Sequence, residues 1–355
     1  DTGLLEREIK LYKHLLDNHE IKFTFITYGD SSDKNIQGFP KEIEIVPVYE
    51  VIKYSNVKLL RFLKSFILPF KLRKIISKAD ILKTNQLNGG WVPILSKIIF
   101  RNKLFIRTGY NPYSFAKRQD KSFTIKMGYF FLTQISLIFS NIFTVTSLQD
   151  KKNIQKSFLF TDKIRVRPNW INVESCPNLE DRLEDRVLSV GRLEKQKNFE
   201  MLIKSLKDSQ ITIDIVGEGS LRNDLITLAS KYSVNLNLIG TLGNDELLKL
   251  YPKYKIFILS SLYEGNPKAL LEAMAAGCLV LANKIASVDE IIMHEENGIL
   301  FNINNLDLIN IINKLGNQTP KVENMRKNAY LSVLKNNSFE NSFDKELLDY
   351  KDLVF

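Results

Sequence analysis

The sequence predicts an α/β protein built from two doubly wound parallel sheets. Short apolar, β-branched runs alternate with amphipathic stretches along the chain, the pattern of βα units feeding a parallel sheet. The chain has 355 residues, 44% of them hydrophobic, enough for two domains that each bury a core. Turns bearing glycine follow several of the apolar runs, where a parallel sheet opens its ligand crevice.

Residues 4–16 read as an amphipathic helix with Leu5, Ile9, Tyr12 and Leu16 along one stripe. Strands are expected at 21–27, 43–48, 79–83, 103–107, 142–146 and 164–167. A doubly wound half ordinarily starts with a strand, and none precedes the first helix. The chain opens on Asp1 rather than Met and shows no signal-peptide pattern, so that strand has been lost with the start of the chain or is lacking in this branch.

Residues 56–78 are basic and amphipathic. Leu59, Leu60, Leu63, Phe66, Ile67 and Phe70 supply apolar surface; Lys58, Arg61, Lys64, Lys71, Arg73 and Lys74 supply charge; Pro69 kinks or ends the helix. Such a stretch is either an interfacial membrane helix or a packed helix with a solvated basic face. Residues 127–149 run 23 positions without a charge, but Gln134, Ser136, Ser140 and Asn141 interrupt them and 142–146 reads as a strand, so they are not read as a membrane span.

Pro168-Asn169-Trp170-Ile171-Asn172 follows a strand and precedes an acidic, loop-like stretch to Arg186, which sets a domain boundary. The domains are then 1–168 and 169–336, followed by a helical tail at 337–355. In the second domain strands fit 187–190, 211–216, 234–239, 255–260, 278–282 and 299–301; helices fit 199–207, 221–232, 244–250, 267–276, 287–294 and 306–315.

The chemistry concentrates after two of these strands. The 255–260 strand runs into a loop holding Glu264, then a helix with Asn266 as N-cap, Pro267 at its first position and Gly277 past its end. The helix opening turns free N–H groups and partial positive charge toward the crevice, where a diphosphate could rest. Glu264 and Glu272, eight positions apart, would repel that phosphate and more reasonably accept hydrogen bonds from hydroxyls, as on a sugar. After the 187–190 strand comes Gly191-Arg192-Leu193-Glu194-Lys195-Gln196-Lys197. Arg192 and Lys197 can meet a diphosphate as a planar fork and a point charge, with Lys195 as the alternative to Lys197. Val216-Gly217-Glu218-Gly219 begins like a dinucleotide fingerprint but has Arg222 where a third glycine would stand, and Gly240-Thr241-Leu242 ends the next strand.

These residues resemble the signature of glycosyltransferase family 4. The resemblance rests on Glu264-Gly265, on Leu271-Glu272-Ala273-Met274-Ala275-Ala276-Gly277, and on the Gly-Arg-x4-Lys spacing of Gly191, Arg192 and Lys197. The 168–172 segment is similar to the Pro-Asn-Gly-Ile-Asp that joins the two halves in that family, with Trp170 in the glycine place. The resemblance implies the GT-B fold, two Rossmann-like doubly wound parallel-sheet domains facing a cleft, and sugar transfer from a nucleotide sugar with retention at the anomeric carbon. It implies catalytic roles for Arg192, Lys197 and Glu264. Donor contacts would come from Gly191, Gly217, Gly219, Thr241, Leu242, Asn266, Lys268, Ala269, Leu270 and Glu272, with Glu272 on the ribose. Asn85, Gln86, Arg107 and Tyr110, after strands of the first half, would lie on the acceptor side, and the tail helix would return to the first domain. The chain departs from the family at Asn266-Pro267-Lys268, where many members carry Phe-Gly-Leu, and in having no histidine near the Arg107–Tyr110 turn.

No cofactor is expected beyond a UDP- or GDP-linked sugar as co-substrate. No metal is expected either: there is no Asp-x-Asp, no Gly-x4-Gly-Lys-Ser/Thr, and His14, His19 and His294 lack ligand spacing. The net charge of +10 is uneven, with 29 basic and 14 acidic residues over 1–168 and 21 against 26 over the rest. That asymmetry points to an anionic partner for the first half. The preferred partners are a glycan or lipid-linked glycan acceptor and an anionic membrane surface, in bacterial cell-surface polysaccharide or glycolipid assembly. Two cysteines, Cys176 and Cys278, are too few for a disulfide framework. The expected location is cytoplasmic, peripheral on the inner face of the cytoplasmic membrane. The alternatives are a nucleotide-sugar epimerase of the same fold and, further off, a nucleic-acid-binding protein. A pI near 9.3 suggests the latter, but no aromatic-basic stacking motif does, so no nucleic-acid partner is expected.

Overall fold

A computed structural model describes residues 2–36, 38–173, 177, 180–303, 308–316 and 319–354. Cys176, the side chain of Leu5 and the start of the 306–315 helix lie outside the described residues. The chain divides into two compact units: Asp1–Val145 with Lys151–Val166 and Phe343–Phe355, and Thr146–Asp150 with Arg167–Ser342.

In the first unit β1 (Thr24–Thr27) and β2 (Glu44–Pro47) form a parallel pair. A second parallel sheet has the order β3-β4-β5-β6, from Ile81–Thr84, Lys103–Arg107, Ile142–Val145 and Ile164–Val166. Leu104, Ile106, Phe143 and Val145 are buried with Leu137 and Ile154 of neighbouring helices. Continuous apolar strands of this kind need cover on both faces. The first helix, Thr2–Asn18, buries Ile9, Leu11, Tyr12 and Leu15, so its inward stripe runs through Leu15 while Leu16 is half-buried. The basic stretch is three short helices, Lys58–Ser65, Leu68–Lys71 and Arg73–Ile76, rather than one kinked helix. Pro69 stands in the first turn of the second, where its missing N–H costs nothing.

The second unit holds one six-stranded parallel sheet: β7 (Leu183–Val190), β8 (Thr212–Val216), β9 (Leu236–Gly240), β10 (Tyr254–Leu259), β11 (Leu279–Asn283) and β12 (Ile299–Phe301). Their order is β12-β11-β10-β7-β8-β9. Alternation along β10 sends Ile256 and Ile258 into one core and Phe257 and Leu259 into the other, so both faces are covered. Winding runs outward from β7 to β9, then the chain returns to place β10 on the other side of β7. The β7/β10 junction is therefore the topological switch point, and the loops beyond those two strands are where such a sheet binds its ligand.

Two local expectations are corrected. Residues 287–291 form hydrogen-bonded turns and His294 an isolated bridge to Gly298, in place of the helix. Asn297 takes over the local backbone there, its Oδ1 accepting from Met293 N at 2.8 Å and its Nδ2 donating to Ile291 O at 3.1 Å. The helix Lys268–Ala275 is capped by Pro267, which makes no side-chain cap bond. Asn266 is not the cap because its Oδ1 accepts from Asn169 N at 2.9 Å. Gly277, in the left-handed region at φ 72°, ends the helix as expected.

Candidate active site

The switch-point loops meet through one ion pair. Lys197 Nζ donates to Glu264 Oε1 at 2.6 Å, with the side chains 18% and 10% exposed. Ser261 Oγ donates to the same oxygen at 2.6 Å. The other carboxylate oxygen, Oε2, has no partner among the described residues. A charge this sheltered keeps its strength, because little water screens it.

The backbone explains how Lys197 gets there. A short 3₁₀ turn at Lys195–Lys197 follows β7, and Ser260 Oγ pins its end by donating to Lys197 O at 2.6 Å. The lysine stem then crosses Gly191, where any Cβ would lie 2.7 Å from Lys197 Cε. The glycine of the Gly-Arg-x4-Lys spacing thus makes room for its own lysine. Lys195, the alternative, is exposed, and so is Arg192, whose main-chain oxygen accepts from Glu194 N at 2.7 Å while its guanidinium makes no hydrogen bond or ion pair among the described residues. Gly217 packs still more closely: a Cβ there would stand 2.1 Å from Gly191 O. Gly191 N donates to Val216 O at 2.9 Å and Gly217 N to Gly240 O at 2.8 Å, so the ends of β7, β8 and β9 interlock through main chain. Gly219 belongs to the same meshwork: a Cβ there would lie 2.5 Å from Leu193 O. Thr241 is exposed and Leu242 half-buried just beyond.

The Glu264 loop is held from several sides. Gln196 Nε2 donates to Tyr263 O at 2.9 Å, Asn283 Nδ2 to Ser261 O at 2.9 Å, and Ser287 Oγ to Glu264 O at 3.0 Å. Asn169 donates twice to Asn266, its N to Oδ1 at 2.9 Å and its Nδ2 to the main-chain O at 2.7 Å. Trp170 is buried with its ring 4.9 Å from Phe339, which fixes the segment entering this site. Sequence reasoning missed Ser261, Asn283 and Ser287: single polar residues near strand ends carry no motif, and only folding aims them. Gln196 falls among the four unspecified positions of the Gly-Arg-x4-Lys spacing, so the motif gives it no role.

The helix Lys268–Ala275 opens beside this loop. Leu270 N and Leu271 N both return to Pro267 O, at 3.1 and 3.3 Å. The N–H groups of Lys268 and Ala269 make no bond among the described residues and carry the positive end of the helix dipole. Leu270 is buried and Ala269 packs on the core, so each can offer a ligand only its main chain. Glu272 is 5% exposed; its Oε1 pairs with Lys268 Nζ at 2.9 Å and its Oε2 accepts from Tyr251 OH at 3.0 Å. Burial first, then the neighbouring Glu272 charge, hold the Tyr251 hydroxyl well above its usual range, so it stays a donor. Lys268 also reaches Asn244 Oδ1 at 3.2 Å.

Of the first-unit residues singled out in the sequence, Asn85 and Gln86 are exposed, and Asn85 Oδ1 accepts from Tyr12 OH at 3.0 Å. Arg107 is turned inward, paired with Glu8 at 2.7 Å and 12% exposed. Tyr110 is 43% exposed with its ring 4.5 Å from Phe115. Among the described residues no three His, Cys, Asp or Glu side chains are grouped to hold a metal ion.

The model of the family described as glycosyl transferases group 1 matches residues 177–332, within the second unit. The UDP-Gal:alpha-D-GlcNAc-diphosphoundecaprenol alpha-1,3-galactosyltransferase of Escherichia coli is 28% identical, over 84% of this chain and 82% of its own length. The crystal structure of Anabaena HepE in complex with UDP and glucose is similar at a TM-score of 0.77 and 15% identity, covering 97% of this chain and 95% of that one. Sucrose-phosphate synthase from Thermosynechococcus elongatus is similar at a TM-score of 0.80 and 18% identity, over 97% and 92%. The fold is GT-B.

Proposed function

We propose that this chain is a glycosyltransferase that moves a sugar, with retention and without a metal, from a UDP- or GDP-linked donor to a hydroxyl of a lipid-linked glycan. It would act in bacterial cell-surface polysaccharide or glycolipid assembly, at the inner face of the cytoplasmic membrane. The matched family and the relatives support the class; the acceptor named for the Escherichia coli relative, a diphosphoundecaprenol-linked sugar, supports the acceptor.

One observation carries the chemistry: Glu264, with one oxygen pinned by Lys197 and Ser261 and the other open, at the switch point of the sheet. Glu264 Oε2 is free to accept from a donor-sugar hydroxyl and orient the ring. Departure of the nucleoside diphosphate builds charge on the leaving oxygen. Lys197, fixed beforehand at the loop after β7, and the exposed Arg192 on the same loop would stabilise that charge as it develops, together with the N–H groups opening the 268–275 helix. The leaving phosphate would take the acceptor's proton on the same face, so one face serves both departure and attack. Glu272 would hold the ribose with lone pairs not used by Tyr251 and Lys268.

A screen of nucleotide sugars by thermal shift should find one donor that raises the melting temperature. That donor should then support transfer to a polyprenyl-diphosphate glycan in the presence of EDTA. Release of free sugar that is indifferent to added acceptor would remove the transferase assignment, and loss of turnover with EDTA would remove the metal independence.

A further inference from the structure

The first unit has a helical face rich in exposed apolar side chains. Strands β3, β4 and β5 are parallel neighbours, so the right-handed connections between them put the helices Trp91–Phe100 and Phe123–Phe139 on the same side of the sheet. Leu68–Lys71 packs against the first of these, and the first against the second. Phe62 meets Trp91 edge-on at 4.9 Å, and Trp91 Nε1 donates to Ser65 Oγ at 2.7 Å, which fixes Lys58–Ser65 to the same layer.

The outward side of this layer is apolar in a regular way. Leu59, Leu63, Phe66 and Phe70 recur at helical spacing and are 38–66% exposed. Ile98 and Ile99 are exposed on the middle helix. On the third, Phe131, Ile135 and Ile138 are 41–55% exposed, while Thr133 and Ser136 on the same helix are buried. A helix with one face in water turns its Thr and Ser outward; this one seats Leu137 in the core but also buries Thr133 and Ser136, and leaves Phe131, Ile135 and Ile138 on the other side. Gln134 then bonds both ways with residue 159, Nε2 to Leu159 O at 3.2 Å and Leu159 N to Oε1 at 3.0 Å, bringing the exposed pair Leu159-Phe160 alongside.

Charge selects the occupant. Between residues 51 and 126 there are 17 basic and 2 acidic side chains. A second copy of the chain would bring like charge against like, which opposes docking; an anionic leaflet complements it. No helix among the described residues is long and apolar enough to cross a bilayer, so insertion would be shallow and in-plane. We propose that the exposed face of these four helices is the membrane-seating surface, with Phe131, Ile135 and Ile138 entering the acyl boundary and the lysines of the 58–76 stretch meeting lipid phosphates. This rests on the inner-face location proposed above and adds the surface that is used.

The test is sedimentation with vesicles of phosphatidylglycerol and phosphatidylcholine, without nucleotide sugar. Wild type should bind the mixed vesicles, lose binding at about 0.5 M salt, and ignore pure phosphatidylcholine. Ile135→Ser with Ile138→Ser, at positions already exposed, should keep the melting temperature and weaken partitioning at least tenfold. Lys58, Arg61 and Lys64 changed together to Gln should do the same. Phe131→Trp should shift its emission to the blue on binding. If wild type binds and all these variants bind equally, the surface is wrong while the location stands. If wild type ignores anionic vesicles, both fall. A salt-resistant dimer in the absence of lipid that Ile135→Ser abolishes would make this face a self-association surface instead.

Discussion

Glu264 and Glu272 stand eight positions apart in sequence, yet their surroundings differ. Glu264 meets a cation across two loops and keeps an oxygen open; Glu272 is closed in by Tyr251 and Lys268. Glu264→Gln and Lys197→Ala are each expected to lower kcat on the order of a hundredfold, the usual cost of losing one preorganised charge-stabilising group. Circular dichroism and melting should change little. Near-full turnover at saturating donor in either variant removes that residue from catalysis. Glu272→Ala should raise donor KM and leave kcat near wild type, whereas an unchanged KM would leave Glu272 a helix-packing residue. Tyr251→Phe tests the same contact from the other side. Leaving a buried Glu272 oxygen unpaired should cost about 1–3 kcal/mol, read as a shift in denaturant midpoint.

At the scale of elements, both units are legible where physics repeats. Strands 299–301 and 103–107 were read at their observed ends, and the 244–250 helix as well, because apolar runs with clear punctuation leave little choice of boundary. The 287–294 region was misread because its apolar spacing is helical while Asn297, outside the window, competes for its main chain. Asn266 was misread for a related reason: a residue with good capping chemistry was used by a segment 97 positions away in sequence. The motifs around Gly191 and Gly217 do not show what these glycines permit, the close crossing of neighbouring loops. Gly217→Ala should therefore force β7 and β8 apart at their ends, costing about 1–3 kcal/mol and weakening donor binding by calorimetry. Gly128→Ala is the control: it is helical with nothing within 4 Å of the added methyl, and should be neutral or stabilising. Equal behaviour of the two would discard the steric account of the loop.

At the scale of the whole molecule, the last helix, Phe339–Val354, returns to strands formed far earlier in the chain. Lys83 on β3 donates to Glu346 and to Tyr350 OH, the latter at 3.0 Å, and Tyr350 OH donates to Glu346 Oε1 at 2.6 Å. Arg165 on β6 pairs with Asp349 and Asp352 at 2.6 and 2.7 Å. The pairing of this helix with β3 and β6 could not be read from spacing, because those partners lie between 184 and 267 positions away. Burial alone would raise the Glu346 carboxyl, but the Lys83 and Arg107 charges outweigh it and hold the group below its ordinary value. A depressed carboxyl contributes stability that is fully present above the unfolded carboxyl pKa, about 4.3, and is lost as pH falls through the folded value beneath it. Glu346→Gln leaves Lys83 buried against a neutral partner and is expected to cost about 3 kcal/mol at neutral pH. The gap between wild type and variant should then close as the pH drops below about 4, because protonation does to the wild type what the substitution does to the variant. Urea unfolding from pH 7 to pH 3 measures both curves. If they run parallel over that whole range, the Lys83–Glu346 pair does not account for any acid sensitivity of the fold.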